Sequence, residues 1–147
     1  MEAIVTVNDK PISNAMAAIG ASAFRDKFLE IVIISKMLVG SKMFQLSWKD
    51  VNNRSISISS DKDCAVIVAI YDQENRRENL IDELEVAGWV VKKELEILVQ
   101  NENLVGSTKR ILSKSLKAGN ELSFKVPENH MAITIFAVEG KMILFSI

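Results

Sequence analysis

Hydrophobic and polar positions alternate most clearly between Met43 and Tyr71. In MFQLSWK, Phe44, Leu46 and Trp48 share one face, the period of a half-buried strand. DVNN follows as a turn cluster. RSISISS alternates again, with Ile56 and Ile58 on one side, and SSDKD is a second polar turn. CAVIVAIY is apolar almost without a break, as in a strand buried on both faces. Beyond it, Leu80, Leu84, Ala87, Val91, Leu95 and Leu98 recur at steps of three and four, which predicts one long amphipathic helix. Trp89 lies opposite that stripe. Either another element covers its face, or Gly88 breaks the helix and resets the pattern.

The pattern before this segment predicts a short strand over Ala3–Val7 and a turn over VNDKP. Asn8 and Asp9 tolerate left-handed backbone there, and Pro11 suits the start of a returning strand over 12–16. Ser22 is placed to cap a first helix over 23–38, whose stripe is Phe24, Phe28, Ile31, Ile34 and Leu38. The β-branched run EIVII inside it suits a strand equally well. The helix is preferred because the stripe continues on both sides, and Gly40 would end it. After the long helix, Ser107 or Thr108 caps a short third helix carrying Ile111, Leu112 and Leu116. Leu122, Phe124 and Val126 alternate as a strand. MAITIFAV and KMILFSI flank Glu139-Gly140 as a hairpin. AIVTVNDKPIS and EILVQNENLVGS share a faint strand-turn echo. The expected fold class is α+β: an antiparallel sheet packed by long helices, in a single domain over 1–147.

Composition changes this picture little. The chain has 147 residues, enough for one domain with its own core. It is 48% hydrophobic and 25% charged, which argues against disorder. A net charge of −1 with scattered charges gives no footprint for nucleic acid or an acidic membrane, although net charge hides asymmetry and leaves a local basic patch open. The single cysteine, Cys64, reads as a small buried hydrophobe. The start MEAIVTVND lacks a basic and apolar leader, and no apolar run is long enough to cross a bilayer. The protein is expected in the cytoplasm, without membrane insertion.

Candidate chemistry is sparse. His130, in the PENH turn, has no histidine or cysteine at ligand spacing. Asp61 and Asp63 read as turn acids, since SDKD lacks a calcium-loop ligand series. GSTK at 106–109 lacks the glycine-rich run of a phosphate loop, although a helix starting there could hold a phosphate with Lys109. Arg76 and Arg77 would head the long helix, a poor place for cations. No nucleophile elbow or catalytic pair stands out. No enzyme activity and no cofactor or metal are expected.

The order strand, turn, strand, helix, three strands, helix resembles the Roadblock/light-chain-seven family, a relative of longin and profilin domains. VNDKPIS resembles its opening hairpin, with Lys10 near the place of the usual turn glycine. Residues 44–87, from FQLSWK to ELEVA, resemble its central strands and following helix. The resemblance covers about residues 3–98, and 101–147 would be an added short helix and strands. It implies non-enzymatic work: a dimeric platform or regulator acting on a small GTPase or motor complex. The homodimer contact would be the edge strand Met43–Lys49, with Phe44, Leu46 and Trp48 adding buried area. The alternative is a small-ligand or nucleotide sensor with a pocket between sheet and helix.

Overall fold

The computed structural model describes residues 1–49, 51–71, 79–127 and 132–139. Strands dominate. In chain order they are β1 (Ala3–Val7), β2 (Lys10–Pro11), β3 (Asn14–Met16), β4 (Glu30–Ile34), β5 (Lys42–Phe44), β6 (Ser55–Ser60) and β7 (Cys64–Tyr71). The helix α1 (Asn79–Val86) follows, then β8 (Val90–Val91), β9 (Ile97–Gln100), β10 (Val105–Leu116), β11 (Glu121–Lys125) and β12 (Ile133–Glu139).

Two antiparallel sheets form a sandwich. The smaller runs β11-β6-β1-β2, and the larger runs β3-β5-β12-β7-β10-β9-β4, with β8 beside β10. The smaller sheet obeys the period of two. Ile56 and Ile58 are fully buried, while Ser57 faces outward and its Oγ lies 3.2 Å from Ser123 Oγ on β11. Val5 stands opposite Ile58, and Leu122 flanks the same residue from the other side.

β7 has no polar face, and the architecture follows from that. Val66, Val68 and Ile70 point into a core shared with the smaller sheet, α1 and Trp89. Ala65, Ile67, Ala69 and Tyr71 point into a second core with Ile31, Ile97, Val99, Phe24 and Trp48. The larger sheet therefore curls, bringing β9 and β4 over the face that the smaller sheet leaves bare. Gly20 N–H donates to Ile31 O and Ile31 N–H to Ala21 O, each at 2.9 Å. These bonds tie β4 to the segment after β3, so the sheet comes round towards itself.

The α+β architecture with long helices is thus corrected to an all-β sandwich, and the Roadblock-like core goes with it. Residues 30–34 form β4 because EIVII is β-branched and β9 offers a partner edge. The long helix expected up to Leu98 ends at Val86 in the described residues. Gly88 takes φ +97°, and Trp89 N–H closes the end on Leu84 O at 2.9 Å. Val91 and Leu98 then belong to β8 and β9, and Leu95 closes the turn between them with its N–H on Lys92 O at 3.2 Å, so their helical spacing is accidental. Residues 107–116 lie within β10, whose register with β7 runs from Thr108↔Tyr71 to Leu116↔Cys64. Long-range pairing with β7 overrides the local helical spacing there. β5, β6 and β7 are strands as expected but form no meander, because β12 lies between β5 and β7 and β6 joins the other sheet. The second half of the Glu139-Gly140 hairpin lies outside the described residues.

The β1–β2 turn matches its reading from the sequence, but the strand returning beside β1 is Lys10–Pro11, and residues 14–16, expected to belong to it, form β3 on β5 in the larger sheet. Asn8 and Asp9 take φ +48° and +67°, joining Val7 to Lys10. Asn8 also fixes the neighbouring strand. Its N–H donates to Ser55 O, and its Oδ1 accepts Ser55 N–H, both at 2.8 Å. Asn8→Gly keeps the backbone conformation and loses only the side-chain bond, whereas Asn8→Ala sacrifices both. In chemical denaturation Asn8→Ala is expected about 1–2 kcal/mol below the parent, with Asn8→Gly between them. Equal stability of the two variants would show that the turn conformation carries no weight.

Candidate functional site

The loop between β3 and β4 is built on a buried aromatic row. Phe24 meets Trp48 edge to face with ring centroids 4.7 Å apart, and Tyr71 at 5.4 Å. Burying these rings fixes the loop base. Hydrogen bonds then fix its course. Ser22 Oγ reaches Phe24 O at 2.9 Å, and Gln45 Nε2 donates to Ser22 O at 2.9 Å. Arg25 N–H donates to Leu46 O at 3.0 Å. Lys27 Nζ sits 5.3 Å from the Trp48 ring centroid, within cation–π range.

Asp26 clamps this loop to the segment after β5. Ser47 Oγ donates to Asp26 Oδ2 at 2.5 Å, and Trp48 N–H to Oδ1 at 2.9 Å. Partial burial pushes the Asp26 carboxyl up. The Ser47 and Trp48 donors, with the Arg25 charge, outweigh burial and hold it below its ordinary value. Asp26 is therefore an ionised acceptor at neutral pH and a poor proton donor.

Two clefts meet at this loop. One, of about 260 Å³, lies between the β1–β2 turn and the chain before β6, lined by Val7, Asn8, Lys10, Ile12, Arg25, Ser47, Val51 and Arg54. The second, of about 380 Å³, is lined by Ser22, Phe24, Arg25, Asp26, Lys27, Phe28 and Gln45. Arg25 borders both. Phe28 is 62% exposed at the second cleft. Arg54 has a fixed backbone: its N–H donates to Val51 O at 3.1 Å and its carbonyl accepts Val126 N–H at 2.8 Å. Together the clefts offer hydrogen-bonding side chains, apolar walls and four cations, Lys10, Arg25, Lys27 and Arg54. Asp26 is the one carboxylate among their described lining residues.

The residues singled out from the sequence lie elsewhere. Phe44 and Leu46 are buried in the core under the smaller sheet, and Trp48, only 6% exposed, is in the other core. The alternation that placed all three on one face ends with β5 at Phe44. That strand is internal, between β3 and β12, so it presents no free edge for a homodimer contact. Cys64 is buried, and burial pushes its thiol up, away from reactivity. Asp61 Oδ1 accepts Glu2 N–H at 2.7 Å and Asp63 Oδ1 accepts Ala118 N–H at 2.9 Å, so both turn acids tie down backbone. Gly106–Lys109 lies within β10, so no helix start is available there for phosphate. His130, Arg76 and Arg77 fall outside the described residues. Among the described residues no helix is long and apolar enough to cross a membrane.

Tyr71 and Thr134 bury hydroxyls without a hydrogen-bond partner among the described residues. Burial raises the Tyr71 phenol well above its ordinary value, and Thr134 lies near enough to temper the rise without reaching hydrogen-bond geometry. The pair belongs to the core beneath the loop.

Sequence reasoning did not assemble Asn8, Lys10, Arg25, Asp26 and Arg54 into one site. They come from separate segments, and no short-range motif joins them. The available signal was limited to the Asn8-Asp9 turn and to Arg25 lying off any apolar stripe.

No protein-family model matches the sequence, and no curated protein matches it. The fold does have solved counterparts. It is similar to part of a beta-glucuronidase from glycoside hydrolase family 2, with TM-score 0.60 and 15% identity over 95% of this chain. It is also similar to part of a GH138 enzyme targeting pectin rhamnogalacturonan II, with TM-score 0.62 and 15% identity over 94% of this chain. The chain spans 14% and 16% of those two chains. At such identity the likeness establishes the β-sandwich fold.

The lowered Asp26 carboxyl gives a signed prediction. A group whose folded-state pKa is depressed stabilises the fold above its unfolded value, and that contribution is lost as pH falls through the folded value. Asp26→Asn is expected to be less stable at pH 7, by under about 1 kcal/mol because the carboxyl is largely open to solvent. The gap should narrow below the ordinary value of 3.8. Denaturation midpoints at pH 7 and pH 3 check this. A gap that widens in acid would contradict the assigned clamp.

Proposed function

We propose that this chain is a saccharide-binding β-sandwich module that works beside a hydrolytic centre without being one. The observation that carries this reading is the make-up of the two neighbouring clefts that Arg25 borders. Asn8, Asp26 and Gln45 offer donors and acceptors suited to hydroxyls, while Ile12 and exposed Phe28 offer apolar surface for the C–H face of a sugar ring. Glycoside hydrolysis generally needs two carboxyl groups across the scissile bond. The described lining residues supply Asp26 alone, and its donors keep it ionised.

The structural counterparts support the reading in a second way. Both are named as glycoside hydrolases, and this fold occupies a small part of each chain. A segment of that size fits an ancillary module. A dimeric GTPase platform, in contrast, rested on a Roadblock-like core that the sandwich replaces.

Electrophoresis of the folded chain through gels cast with plant and bacterial polysaccharides tests the proposal. Retardation by at least one polysaccharide is expected, with no release of reducing ends. Phe28→Ala should weaken it about fivefold or more, since a stacked ring contributes on the order of 1 kcal/mol. Failure of every polysaccharide to retard the protein would overturn the reading. So would release of reducing ends that Asp26→Asn abolishes.

A further inference from the structure

We infer that the cleft beside the β1–β2 turn selects an acidic sugar and holds its carboxylate between Lys10 and Arg54. The inference rests on the saccharide-binding reading above and names the ligand class. Lys10 lies on β2, Arg25 on the β3–β4 loop and Arg54 just before β6, yet all three border one cleft of about 260 Å³. The described lining residues include no carboxylate. Lys10 and Arg54 have no ion pair among the described residues. The chain as a whole carries a net charge of −1, so this concentration of cations is local and is not a by-product of a basic protein. Arg25 interacts with the Asp26 carboxylate, which Ser47 holds beside the cleft, so the site for an added anion falls to Lys10 and Arg54.

The supports are rigid where charge must be placed. Arg54 is anchored through both its N–H and its carbonyl, and Lys10 follows the left-handed Asn8-Asp9 turn that Ser55 secures. Asn8 spends its Oδ1 on Ser55 N–H, which leaves its Nδ2 as a further donor at the cleft. A guanidinium fork matches a planar carboxylate with two parallel bonds. Val7 and Ile12, both partly exposed, form apolar walls beside these cations. A free phosphate would gain nothing from such walls, whereas a sugar ring carrying a carboxylate covers them with its C–H face. The volume falls just below the roughly 300–1,000 Å³ of sites for drug-sized ligands, which suits a single sugar residue.

Calorimetry on the folded chain decides this with three probes: tri-galacturonic acid, its methyl ester, and a sulfated galactan fragment. The free acid is expected to bind about tenfold or more tightly than the ester, and added salt should shrink the difference. Lys10→Met and Arg54→Gln should each bring the acid-to-ester ratio close to one. If Arg54→Gln does not fold, Arg54→Lys keeps the charge without the fork and should lose about threefold or more for the acid. Equal binding of acid and ester overturns the acidic-sugar inference and leaves the saccharide reading standing. Binding of none of the three overturns the acidic-sugar inference, and retardation by another polysaccharide in the gels then decides the saccharide reading separately. Tighter binding of the sulfated fragment overturns the carboxylate assignment.

Discussion

A strand with no polar side must be covered twice, and β7 is such a strand. All eight residues of Cys64–Tyr71 are buried. Six of the seven residues of its neighbour β12 are buried as well. Leaving either face to water would expose several large apolar side chains, each worth roughly 1.5–3 kcal/mol when buried. One face is met by the smaller sheet with α1 and Trp89. The other is met by the larger sheet's own far strands, β9 and β4, which requires that sheet to curl until β4 approaches the segment after β3. Closing in this way also gives the β4 edge backbone partners in the segment after β3.

That curl determines where the clefts lie. The segment after β3 has to cross the open end of the second core, and it does so with Phe24 inserted between Trp48 and Tyr71. Once the ring is buried, residues 25–28 have nowhere to go but the rim. Asp26 turns inward to Ser47 and Trp48 N–H, and Arg25 and Lys27 are left on the outer side. The smaller sheet delivers its β1–β2 turn and the chain before β6 to the same rim. The cationic cleft is thus a product of core closure, assembled from backbone that packing has already fixed.

Several parts of this arrangement were legible in the sequence. SISISS alternates because one face of β6 meets water, and CAVIVAIY does not because neither face of β7 does. Asn8-Asp9 could be read as a turn because both residues tolerate positive φ. The helices were misread for a common reason. Steps of three and four also occur by chance where short strands follow one another, as with Val91, Leu95 and Leu98. EIVII carried the strand signal in its β-branched side chains, but the partner edge on β9 lies more than sixty positions away. The cleft was not legible. Lys10, Arg25 and Arg54 are ordinary isolated cations until long-range pairing brings their segments together, and no local pattern encodes that.

The central claim is that ligand recognition belongs to this rim of the sandwich. An amide-resolved NMR titration with tri-galacturonic acid tests it most directly. Shifts should concentrate at Asn8, Lys10, Arg25, Phe28 and Arg54, with little change along β9 and β10. Shifts gathered instead around Met37–Lys42, at the separate groove beside Glu139, would contradict the account.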